Sequence, residues 1–102
     1  MQNKQVIKAR KYLCRFDQIV KQMADQMLSP EITNSITINF IESMVPHHES
    51  AIYMAENLLE YTTYQPLQEM AKNIIKMQTQ GIEEMRKIAK NSYGFQNMPQ
   101  EV

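Results

Sequence analysis

The chain has two histidines, and they stand side by side as His47-His48 in the stretch FIESMVPHHESAIYMA, residues 40–55. At about 100° per residue, a helix through this stretch places Phe40, Met44, His47, Ala51, Met54 and Leu58 along one stripe, with His48, Ile52 and Ala55 beside it. Met44 precedes His47 by three positions and His48 by four, the spacings at which helical side chains touch, and Met54 lies two turns beyond His47. The groups able to converge are therefore two imidazoles and two thioethers, while Glu49 points away. Thioether sulfur is a soft ligand and imidazole a borderline one, so such a cluster suits Cu(I), or its analogue Ag(I), better than ions that prefer oxygen.

Two familiar metal patterns fail on spacing. His48-Glu49 does not continue into H-E-x-x-H, because Ile52 stands where the second histidine would be. A di-iron Glu-x-x-His pair needs a glutamate three positions before a histidine, and those positions hold Met44 and Val45. A structural reading of the same residues stays open. Methionine is a common flexible filler of helical cores, and the chain has nine. Pro46 has no N–H to donate to the Glu42 carbonyl, and an imidazole could satisfy a backbone group at such a point.

The elements that must carry these residues are helices. With two glycines and four prolines in 102 residues, the hydrophobic spacing gives three long amphipathic segments. The first runs from about residue 3 to Leu28, with Val6, Ala9, Leu13, Phe16, Val20, Met23, Ala24 and Met27 along its stripe, and stops at Ser29-Pro30. The second runs from about Ile36 to Tyr61 behind Thr37 or Ser35 as N-cap, with Phe40, Ile41, Met44, Ala51, Ile52, Ala55, Leu58 and Leu59 facing inward. The third opens at Pro66 and carries Leu67, Met70, Ala71, Ile74, Ile75, Ile82, Met85, Ile88 and Ala89 to a stop near Tyr93-Gly94. Short connections make neighbours antiparallel, so the expected fold is an all-α, up-and-down helical bundle in one domain, residues 1–102. Its core spans about 3–92, its tail 93–102 is loose, and its second helix is kinked or split at Pro46.

Charge excludes several classes of partner. Eleven basic and eleven acidic residues balance, which points to neither nucleic acid nor a membrane surface. The distribution is uneven: residues 35–64 hold four glutamates and no Lys or Arg, so the histidines lie in an acidic segment. A single cysteine, Cys14, allows no internal disulfide, and the charged N-terminal stretch resembles no signal peptide, so the expectation is a cytoplasmic protein. No nucleophile–base pair, phosphate loop or convergent carboxylates suggest an enzyme.

Two residues of the third helix are out of character with its apolar stripe. Gln78, between Ile74 and Ile82, is either an amide hydrogen-bonded across the bundle or a group orienting an inward-facing histidine. Gly81 weakens the helix by roughly 1 kcal/mol relative to alanine and permits close approach of a neighbour. Asp17 reads as a solvated flank residue and Cys14 as a structural thiol.

Together with LQEMAKNIIKMQTQGIEEM further on, residues 40–55 resemble the bacterial family catalogued as domain of unknown function 305. Its pattern is F-x-x-x-M-[IV]-x-H-H-x-x-A-[IV]-x-M-A, then I-I-x-x-Q-x-x-E-I-x-x-M, and the likeness covers about residues 37–89. The resemblance implies a ferritin-like bundle, and some members are similar to periplasmic proteins that handle Cu(I) and Ag(I) through Met and His. Carried over by position, Met44, His47, His48 and Met54 match the first motif and Gln78 and Met85 the second, which implies a site between the second and third helices. The chain departs from the pattern at Gly81, where the family has glutamate, and at Thr37, where many members have aspartate. Two functions follow as expectations: a small non-enzymatic binder of Cu(I) or Ag(I), or a structural or interaction bundle, in one form a homo-oligomer, whose His pair is a buried polar network.

Overall fold

A computed structural model of the chain describes residues 3–94; the expected tail beyond them lies outside the described residues. Three helices account for almost all of it: α1 over Lys4–Leu28, α2 over Ile36–Tyr61 and α3 over Gln65–Gly94. Each start is built from local chemistry. The Asn3 side chain accepts the Val6 N–H at 2.8 Å, and the Ser35 hydroxyl accepts the Ile38 N–H at 3.2 Å, so Ser35 rather than Thr37 caps α2. In the loop before α2, the Asn39 side chain accepts the Thr33 N–H at 2.8 Å and donates to the Thr33 carbonyl at 2.9 Å, which fixes how the chain enters the helix. After α2 the turn is tight: the Thr62 N–H closes onto Leu58, and Gln68 of α3 donates to the Thr62 carbonyl at 3.1 Å.

Pro46 does not divide α2, which runs unbroken through it, so the described residues form three helices and not four. No helix among the described residues is long and apolar enough to cross a membrane.

α2 lies between the other two and touches both, whereas α1 and α3 make no contact with each other among the described residues. On the α1 side, the Ser43 hydroxyl donates to the Met27 carbonyl at 3.1 Å and the Asn57 amide to the Tyr12 carbonyl at 3.1 Å. These pairs join the start of α2 to the end of α1 and the end of α2 to its start, so the two run antiparallel. On the α3 side, His48 packs on Gly81. Across its length the molecule measures 25 by 15 Å, the cross-section of a layer of helices.

A layer encloses little. Among the described residues the buried apolar ones are Ile19, Ile38, Ile41, Ala55, Ala71 and Ile82, and Ile19 of α1, 1% exposed, is the one large side chain fully enclosed. Several residues of the expected inner stripes are instead exposed, among them Val6, Leu13, Phe40, Met70 and Ile88. The reason is geometric. Each helix has an apolar arc wider than its contact with a neighbour, and in a layer the excess arc faces out.

Ile19→Ala should lower the stability of the fold by about 2–5 kcal/mol, the range for emptying an enclosed aliphatic site. Leu28→Ala, at a side chain 85% exposed, should change it by less than about 0.5 kcal/mol. Urea denaturation of the two variants against the wild type checks both.

Candidate metal site

The four consecutive residues His47, His48, Glu49 and Ser50 point in four directions, and this quartet organises the surroundings of the site. Ser50 is buried on the α1 side of α2, in line with Ser43 and Asn57 at intervals of seven residues. His48, two residues earlier and so about 200° round the helix, faces α3. His47 and Glu49 fall between, on the two flanks. His47 shares its flank with Phe40, Met44, Ala51, Met54 and Leu58, while Glu49 shares the opposite flank with Glu42, Glu56 and Glu60.

His48 is the best-defined member of the pair. Its Nδ1 lies 2.9 Å from the Met44 carbonyl oxygen, one turn back on the same helix. A carbonyl can only accept, so Nδ1 carries the proton and the lone pair belongs to Nε2. The imidazole thus does bond a backbone group near Pro46, that of Met44, and Ser50 does the same by donating to the Pro46 carbonyl at 2.8 Å. The rest of the ring lies over α3. A Cβ added at Gly81 would come within 3.1 Å of His48 Cδ2 and 3.4 Å of Nε2. Gly81 is therefore the floor beneath the imidazole.

His47 is exposed, on the flank of α2 that neither neighbour covers, so of the two imidazoles only His48 faces an adjoining helix. The two ring centroids are 5.9 Å apart at an interplanar angle of 62°. Met44, Met54 and Met85 are all half-buried, as is Gln78. Among the described residues no three of His, Cys, Asp and Glu come together. Cys14 is exposed on α1 and takes no part.

Sequence reasoning did not single out the run Ser43, Ser50, Asn57, although its seven-residue interval of small polar groups was there to be read. Asn57 is buried and its Oδ1 has no hydrogen-bond partner. Nor was the partnership of His48 with Gly81 legible, since a single sequence does not give the register of α3 against α2.

Compared with known families, residues 14–89, close to three quarters of the chain, match the family described as Domain of unknown function (DUF305). No curated protein matches the chain.

The contact at Gly81 gives a quantitative expectation. Gly→Ala inside a helix ordinarily stabilises by roughly 1 kcal/mol. Here the new methyl must displace a ring tethered to Met44, so Gly81→Ala alone should gain clearly less, and in a His48→Ala background it should recover the full amount. A double-mutant cycle measured by chemical denaturation checks this; equal gains in the two backgrounds would show that the ring does not rest on Gly81.

Proposed function

The chain belongs to the family described as Domain of unknown function (DUF305), and on that premise we propose that it is a small non-enzymatic protein that binds Cu(I) or Ag(I) through His47, His48, Met44 and Met54. Gln78 and Met85 on α3 are supporting groups.

The observation that carries this reading is the hydrogen bond of His48. With Nδ1–H committed to the Met44 carbonyl at 2.9 Å, the ring is held in one tautomer with Nε2 as its donor atom, which is how metal-binding histidines are commonly oriented. Met44 contributes twice, since its carbonyl fixes the imidazole and its thioether is itself a soft ligand. The donor set favours a soft monovalent ion because the accompanying groups are thioethers rather than thiolates or carboxylates. The bond of His48 lies within its own helix, and the hydrogen bonds between helices run instead from Ser43 and Asn57 to α1. That division weighs against the reading of the His pair as the network that fixes helix register.

Titration of the reduced, metal-free protein with Cu(I) against a competing chelator, without oxygen, tests the proposal. Wild type should bind, and His47→Ala/His48→Ala should lose binding while its far-ultraviolet circular dichroism stays helical. Binding should weaken as pH falls, because protons compete for the imidazole nitrogens. A folded wild-type protein that leaves all the copper with the chelator would sink the proposal.

A further inference from the structure

The two sides of the helical layer differ in kind. On one side, Arg15 of α1 shares a groove with Tyr53, Glu56 and Glu60 of α2, and Thr79, Glu83 and Arg86 of α3 share another with Glu49 and Tyr53. This side carries the acidic row of α2 with cations from both neighbours.

The opposite side follows from the same helices. Leu13 stands two residues from Arg15, Met77 two from Thr79 and Ile88 two from Arg86, each about 200° round its helix and so on the reverse of the charged grooves. Val6, Leu13 and Val20 of α1, the Phe40–Leu58 flank of α2, and Met70, Met77 and Ile88 of α3 thus form one face. Leu13 is 59% exposed and Met77 68%, and Phe40, Met70 and Ile88 are also exposed. Its only ionisable group along α2 is His47. Asp17, paired with Lys21 at 2.8 Å, stands at its edge on α1, and Glu84 continues the stripe of Met70 and Met77 on α3.

We propose that this face is closed by a second copy of the chain, so that two three-helix layers pack apolar side to apolar side with Met44, His47 and Met54 of both copies in the seam. Three features point to that occupant. Helical layers are stable when two of them enclose a core, and among the described residues of this one a single large side chain is fully enclosed. A face three helices wide, at 8–10 Å between axes, and about 40 Å long presents roughly 1,000 Å², against about 800 Å² per partner in a standard interface. A two-fold dimer sets identical surfaces against each other, and an apolar strip along α2 is self-complementary, whereas the charged grooves on the reverse would need their opposite charges brought into register. The inference goes beyond metal binding and does not rest on it.

Sedimentation of the metal-free protein in chelator, over a wide range of concentration, tests it. The wild type should sediment at twice the chain mass of 12.0 kDa. Leu13→Glu/Met77→Glu, which places a charge on the face at each outer helix at positions exposed in the single chain, should reduce the particle to one chain mass. Ile7→Glu, at an exposed apolar residue on the reverse of α1, should leave the dimer intact. In a mixture of methyl-labelled and unlabelled wild-type chains, the Met44 and Met54 methyls should show contacts between copies. A wild type of one chain mass throughout, a particle of any mass other than two chains, or a dimer that survives the double substitution would each overturn the proposal. Because metal is absent throughout, the result is separate from that of the copper titration.

Discussion

One helix here has to serve two neighbours that do not touch each other. α2 meets α1 through Ser43, Ser50 and Asn57 and meets α3 through the arc that includes His48, and these arcs lie on opposite sides of its axis. Everything else about the molecule follows from that division. The two remaining flanks of α2 cannot be covered by either neighbour, so one must be polar, and the row of four glutamates makes it so. The other is apolar and carries a histidine.

The consequence for the candidate site is that its two imidazoles have different surroundings although they are adjacent in the chain. His48 is fixed by a hydrogen bond to Met44 and supported from beneath by the absence of a side chain at Gly81. His47 looks outward among thioether and aliphatic groups. Such a pair joins a ring of set orientation and tautomer to one whose environment depends on what meets that flank. Gly81 presents neither charge nor side-chain oxygen to the His48 ring and lets α3 approach it closely.

The helix boundaries were legible because their signals are local: Ser29-Pro30, the Ser35 cap and Pro66 each act within a turn. The rotation of each helix was legible only in part. On α3 the arc around Ala71 and Ile82 reads as inward, and those two are buried, but Met70 and Ile88 at the edge of the same arc are exposed. Hydrophobic periodicity reports which residues avoid water, without saying whether the chain itself or another molecule covers them. On α1 the wider apolar arc through Leu13 and Val20 masks Ile19, which stands three residues after Phe16 and four before Met23. The continuity of α2 through Pro46 was equally beyond reach, since a mid-helix proline is compatible with an unbroken helix, a kink or a break.

The quartet His47–Ser50 also sets a rule for how the gene for such a protein can change length. Inserting or deleting one residue between Ser43 and Asn57 would turn everything beyond it by about 100°, carrying a glutamate into a helix contact and a buried serine into solvent. Only changes of seven residues, close to two whole turns, would keep Ser43, Ser50 and Asn57 in line with α1. The middle of α2 is thus a stretch in which substitutions can accumulate one at a time while its length is held by phase.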